Sequence, residues 1–591
     1  MRKWLPTAVL AALLPSASAD YGILNDFTSY QNGALPDRQT YITTNITSPV
    51  FNYNTWREDL IVNDASSHIL LTLNYNNGAA GAGPYIFRDD DLSLVYADPS
   101  FDYAMNARIQ TVAGDPYLTF WHGARNRGDS QGYCVFYDSH YRLRWNATTG
   151  PPLAVGADMH ECEVTVDDTV LLTAYQDRAF DLSLIGGRED DVLADSCFQE
   201  VDVRSGDVIF TWCASDHLSP DLTFWNYTGS SRGRRQQNQD GSDVNSSGNM
   251  AYATSSGFDA YHINSLQKTH EGNYLISLRN LNSIVYVDGK SGMPIWNLNG
   301  KLNNFTDVTP PPYLAQSPED EGPEGEMALG FAWQHDVTFW DDALTQITLF
   351  DNHELSTSVN CTGSHCSRGL HLSIDTSDPD NLIVEVVHSY RSPQGLKSVI
   401  FGSMHPLPYP SDTSSPDLDA FLIGWGVNAE FSEYTSTGEL IRDVQYSPLY
   451  PGHSVGGKGV QSSRVYKQSW HGYPTWPPTI ASNGNGTLRV SWNGATEVHA
   501  WAVYDGDDRA SLDVVDPFTP YLNMKRAGFE TKIELGKDVR SHVKVGALDD
   551  RGMIVGTTEV VELGHYPVSQ SRFGYYVQNV ISFIDLSKLL I

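Results

Sequence analysis

Polar and apolar positions alternate in short runs along almost the whole chain. Tyr, Trp, Val, Ile and Thr gather in strand-length segments broken by Gly, Asn and Asp, with 30 prolines and hardly any apolar stripe at helical spacing. The pattern predicts a mainly β protein. One unit recurs: a polar opening residue, a short strand, an acidic or Gly-containing turn, and a second strand ending on an aromatic or polar group. It reads "NARIQTVAGDPYLTFWHG" from Asn106, "HECEVTVDDTVLLTAYQ" from His160, "HINSLQKTHEGNYLISLRN" from His262 and "HDVTFWDDALTQITLFDN" from His335. Two looser copies follow, "QGLKSVIFGSM" with "LDAFLIGWG" from Gln394 and "GYPTWPPTIASNGNGTLRVSWNG" from Gly472, which makes six.

A second hairpin follows most copies, as in "VYVDGKSGMPIWNL" and "SEYTSTGELIRDV". Two hairpins make a four-stranded sheet, and six such sheets set radially make an all-β, six-bladed β-propeller. This predicts an N-terminal strand and loop segment over 20–84, a propeller over 85–527, and a small β-sandwich-like appendage over 528–591, where polar and apolar residues alternate. That last region also fits strands completing the final blade. "VNDASSHILLTLNYNN" reads as a blade strand, and His122 and Arg125 in "FWHGARNRG" as strand and loop. Polar, aromatic-poor insertions at 226–249 and 309–326 read as surface loops, the second just ahead of His335.

Composition places the chain before it explains it. Arg2 and Lys3, the apolar run "WLPTAVLAALLP" and the small residues Ala17 to Ala19 predict a cleaved secretory signal over 1–19, and hence a secreted protein. N-x-S/T acceptors at Asn45, Asn146, Asn226, Asn245, Asn304, Asn360 and Asn485 fit that route and predict surface positions for those segments. Six cysteines in such a compartment predict disulfides, with "CTGSHC" the readiest local bridge; a zinc site there lacks further ligands at suitable spacing. No later stretch is long and apolar enough to span a bilayer, so no membrane partner is expected. The formal net charge of −33 comes without a basic block, which makes nucleic acid an improbable partner.

Three of the six copies open on histidine: His160, His262 and His335. One repeat phase puts these residues at the start of the innermost strands, so three imidazoles are expected to converge on one mouth of the central channel. Converging histidines suit a metal site, an acid/base pair, or a nucleophile with helpers. Asn264 faces the same way as His262, two residues along the strand, and Arg279 closes the same hairpin. A guanidinium beside imidazoles disfavours a cation and favours a tetrahedral oxyanion, so neither metal nor cofactor is expected and sulfuryl or phosphoryl transfer moves ahead.

At these residues the chain resembles the arylsulfotransferase family, in particular its secreted fungal members. "DMHECEVTVDDTVLLTAY", "YHINSLQKTHEGNYLISLRN", "NGKLNNF", "QHDVTFWDDALTQITLFDN" with "SRGL", and "VSWNGATEVHAWAVY" carry the resemblance, which runs in consistent order from about residue 85 to 560. It implies a six-bladed propeller and a ping-pong reaction without a nucleotide donor. A phenolic sulfate ester passes its sulfuryl group to a histidine, the aryl product leaves, and a second phenol collects the group. On this sequence His335 falls where the family's sulfated histidine lies, with His262, His160, Asn264 and Arg279 at supporting positions. The competing expectations are a propeller of a secondary-metabolite pathway that binds or converts another ligand in the same funnel without sulfuryl transfer, and a three-histidine metalloenzyme.

Overall fold

The computed structural model describes residues 20–61, 67–75, 81–126, 129–227, 257–310, 327–353, 366–407, 420–449, 460–484, 486–516 and 519–563. The expected leader, Cys361 with the "CTGSHC" clip, most of both long insertions, and Asn245, Asn360 and Asn485 lie outside them. Asn45, Asn146, Asn226 and Asn304 are all exposed, as glycan acceptors must be. The described residues are nearly all strand and turn, and no helix among them is long and apolar enough to cross a membrane.

Among the described residues, six sheets of four or five strands form the body of the molecule, antiparallel except where Phe305–Asp307 pairs parallel with Leu382–Arg391, and five of them begin with one of the predicted hairpins. Their innermost strands are Ala104–Val112, Cys162–Val164, Ile263–Lys268, His335–Phe339 and Ser403–Leu407. In the sixth sheet Val460–Gln461 and Val465–Ser469 both pair with Ser67–Tyr75. Each sheet shares an apolar core with the next: Val112, Phe136, Val170 and Leu172 join the first two, and Phe350, Met404, Phe421 and Trp425 the fourth and fifth. Ile69, Leu71, Leu422 and Phe431 join the fifth to the sixth, and Leu70, Ile86, Leu118 and Phe120 join the sixth back to the first. Sheets packed face to face around an axis make a β-propeller.

The boundaries differ from those the repeat predicts. Asn52–Trp56 pairs with Leu440–Gln445 at the rim of the fifth sheet, and Ser67–Tyr75 is central to the sixth, so these two strands of the 20–84 segment belong to the ring. "HILLTLNY" is buried on both faces, and its continuous apolar run is what such a strand needs. The copy at Gly472 belongs elsewhere. Thr479–Ser482 and Thr487–Ser491 pair with Thr531–Glu534, while Ala500–Gly506 pairs with Leu522–Lys525 and His542–Leu548. These two sheets bury Leu488, Val490, Trp501, Val503, Ile533, Val543 and Val545 between them. The sandwich therefore starts near 479, about fifty residues before the predicted boundary at 528.

Cys134–Cys162 staples the first sheet to the inner strand of the second, and Cys197–Cys213 joins neighbouring strands within the second. Such bonds suit an oxidising compartment.

Candidate active site

His160, His262 and His335 come from three consecutive sheets and meet at the end of the ring where the inner strands begin. The His160 and His262 rings stand edge to face with centroids 4.9 Å apart. Tyr175 lies 5.8 Å from one and 5.6 Å from the other, its hydroxyl donating to the Ile263 carbonyl at 2.6 Å. All three histidines are largely buried, and His160, His262 and Arg279 lie close enough to His335 to act on its charge.

Their partners separate them into two kinds. Nδ1 of His160 bonds the Asp158 carboxylate, and Nδ1 of His262 bonds Asp259 Oδ2 at 2.5 Å. A carboxylate there orients the ring and leaves Nε2 for a reactant. His335 instead donates from Nδ1 to the amide oxygen of Asn352 at 2.6 Å. Asn352 Nδ2 donates to the Ser398 and Phe401 carbonyls, both at 2.9 Å, so its Oδ1 has to be the acceptor and His335 has to carry its proton on Nδ1. Nε2 holds the lone pair and accepts a hydrogen bond from the Phe401 N–H at 3.2 Å. Burial first, then the Arg279 charge, hold the His335 pKa well below 6.5, so the ring is neutral near pH 7. His262 is also lowered, by burial ahead of the opposing pull of Asp259, with His160 contributing.

Arg279 is buried in the short turn Arg279–Leu281. It donates to Asn280 Oδ1 at 2.8 Å and to the Val399 carbonyl at 3.4 Å, and its guanidinium lies 4.0 Å from the centre of the Trp333 ring. Asn264, expected to bind substrate, has a partner within the protein. Its Nδ2 donates to the Gln334 carbonyl at 2.6 Å, and its Oδ1, buried without a hydrogen-bond partner, is an acceptor that an oxyanion repels. Flipping the amide would set two oxygens against each other, so the assignment is fixed by chemistry. Asn264 therefore braces the strand that carries His335.

Below the histidines a layer of buried charge spans the axis. Arg464 reaches Glu161 at 2.9 Å and Asp336 at 3.1 Å, the residues that follow His160 and His335 in the chain, and donates to the His160 and Asn264 carbonyls at 3.3 Å. Arg108 binds Glu161 at 3.1 Å, and His405 lies 3.3 Å from Asp336. Every inner strand or its immediate lead-in contributes an atom. Beyond this layer, at the opposite mouth, a cavity of about 1130 Å³ is lined by Arg108, Glu163, His405 and Tyr466. Burial, with Glu161 nearby, pushes Glu163 up to about 8.

Asp158, Asp259, Asn352 and the turn before Ser403 were not singled out from the sequence. The signals exist: an acidic residue two or three places ahead of each paired histidine, and Asn352 in the same closing phase as Asn280. In "SVIFG" the carbonyls of Ser398, Val399 and Phe401 and the Phe401 N–H wrap His335 and its partners, and Gly402 (φ +113°) completes the turn where a Cβ would sit 2.1 Å from Phe350. His122 keeps to a strand position, with Nδ1 at 3.3 Å from the Tyr103 carbonyl. The ligand atoms of Asp195, Cys197 and Cys213 cluster as metal ligands do, but the two cysteines are joined to each other.

A family model described as arylsulfotransferase (ASST) matches residues 108–447, a span that includes every histidine, carboxylate and amide of the site. No curated protein matches the sequence. Solved structures with partial likeness include the periplasmic gluconolactonase PpgL of Pseudomonas aeruginosa, at 11% identity over 84% of this chain and 97% of that one with a TM-score of 0.30. They also include the Dos1 propeller, at 10% identity over 71% and 73% with a TM-score of 0.26. A catalytically inactive virginiamycin B lyase of Staphylococcus aureus, solved with quinupristin, stands at 8% identity over 67% and 94% with a TM-score of 0.27.

Proposed function

The chain belongs to the arylsulfotransferase family, and on that premise we propose that it moves a sulfuryl group from a phenolic sulfate ester to a phenol through His335, without a nucleotide. The observation that carries the reading is the sorting of partners: one neutral, amide-held imidazole with its lone pair on Nε2, beside two carboxylate-held imidazoles and a buried arginine.

In the first step Nε2 of His335 gives up the Phe401 N–H and attacks the sulfur, the N–S bond forms, and the bond from sulfur to the phenolic oxygen breaks. The leaving oxygen takes one proton from the His160–His262 pair. In the second step the acceptor hydroxyl returns a proton to that pair and its oxygen attacks sulfur, releasing His335. The chemistry needs one proton to shuttle, and two imidazoles each held at Nδ1 by a carboxylate offer Nε2 for it. Arg279 supplies positive charge to the sulfuryl oxygens, a stabilisation worth several kcal/mol in a site shielded from water. Asn264 acts on His335 through Gln334 rather than on substrate.

The test is transfer from 4-nitrophenyl sulfate to phenol by the purified protein, with a sulfuryl adduct found by mass spectrometry on the peptide containing His335. A folded protein that yields neither product nor adduct refutes the reading and leaves a propeller that binds or converts another ligand in this funnel.

The carboxylates make a finer prediction. An Asp259→Asn variant keeps the hydrogen bond in one tautomer but loses the charge that supports a proton on His262, so turnover should fall by about 10²-fold. Because 4-nitrophenolate leaves readily without a proton, adduct formation should suffer less than transfer to phenol. Single-turnover measurement of the two half-reactions separates them; equal losses in both would remove the proton-shuttling role.

A further inference from the structure

Trp333, two residues ahead of His335, has a left-handed backbone (φ +57°) that a side chain of its size rarely adopts. Two contacts from a single turn accompany it. Asn282 Oδ1 accepts the Trp333 N–H at 3.1 Å, and the Arg279 guanidinium lies 4.0 Å from the centre of the indole. Asn282 is itself left-handed (φ 48°) and donates its N–H to the Arg279 carbonyl at 3.1 Å, so the first and last residues of one turn grip both ends of Trp333. Trp225 packs on the indole with centroids 5.3 Å apart. The other cation–aromatic contacts described in the protein are longer, from 4.8 to 5.8 Å.

Arg279 has a long flexible stem, and its guanidinium donates to Asn280 Oδ1 and the Val399 carbonyl. A flat cation that close to an indole is attracted to the ring and has its plane set by it. We propose that Trp333 is a positioning residue whose indole fixes the Arg279 guanidinium relative to His335, coupling the anion-holding group to the nucleophile two residues along the same segment. The catalytic half of this inference rests on the sulfuryl-transfer reading; the geometric half does not.

The groups acting on the charge of His335 are Arg279, His160 and His262, with Asn352 on Nδ1, and Arg279 is the largest cause of its lowering after burial. Release of the guanidinium should therefore be visible at His335 itself. The experiment is an NMR titration of the parent, Trp333→Leu and Trp333→Phe proteins with histidines labelled at Cε1, alongside transfer kinetics. In Trp333→Leu the His335 midpoint should rise by about half a pH unit. Its kcat should fall about tenfold, with KM for the donor changed by less than about threefold. Trp333→Phe, which keeps an aromatic face, should recover most of both.

An unchanged His335 midpoint in Trp333→Leu, or a phenylalanine variant no better than leucine at equal thermal stability, overturns the proposal. Should the leucine variant not fold, a double-mutant cycle decides. In an Arg279→Met background Trp333→Met should leave the His335 midpoint where it is, whereas the same rise as Trp333→Met gives with Arg279 present overturns the coupling. A parent protein inactive in transfer whose His335 midpoint still moves in Trp333→Leu refutes the sulfuryl-transfer reading alone.

Discussion

A His335→Ala variant should lose sulfuryl transfer by about 10⁴-fold or more, and should show no adduct after donor exposure. The size follows from the role. Removing the atom that forms the covalent bond leaves the remaining groups with nothing to activate, whereas loss of a helper leaves the covalent route open. Stability gives the control. Burial holds the His335 pKa below 6.5, so as pH falls through that value the unfolded chain takes up a proton that the folded chain refuses, and folding weakens. The variant lacks this group and should lose less stability than the parent between pH 7 and pH 5. A variant that melts like the parent at pH 7 yet still transfers sulfate would move the covalent role to another residue.

The largest effect on stability should come from Arg464. It is buried between Glu161 and Asp336, themselves almost fully buried, and Arg464→Met leaves two carboxylates short of their countercharge. Breaking a buried pair from one side costs about 3–5 kcal/mol, because the partner cannot return to water. The expected result is a large fall in melting temperature and in soluble yield. The triple variant Arg464→Met, Glu161→Gln, Asp336→Asn should be more stable than Arg464→Met alone, because it removes the charges together with their partner. Equal melting of Arg464→Met and the parent would show that water reaches this layer.

Much of this was legible in the sequence, and the limits are physical. The all-β class, five of the inner hairpins, and the phase that unites His160, His262 and His335 follow from local patterning, because a hairpin is encoded by neighbouring residues. Arg279 was legible for the same reason, since it closes the hairpin that His262 opens. The ring closure was not: Ser67–Tyr75 pairs with strands almost four hundred residues away, and a strand buried on both faces loses the alternation that would mark it. Glu161 and Arg464 meet across 303 residues, a pairing that no spacing announces. The partner of Asn264 was not legible: the Gln334 carbonyl, 70 residues away, accepts from its Nδ2.

The charged layer across the axis works as a cross-brace. Arg464, from the sixth sheet, is tied to Glu161 and to Asp336, each one residue along the chain from a histidine of the site. A frame bolted at that point keeps His160 and His335 square to each other, so their spacing is set by ion pairs made beneath them as much as by the strands they begin.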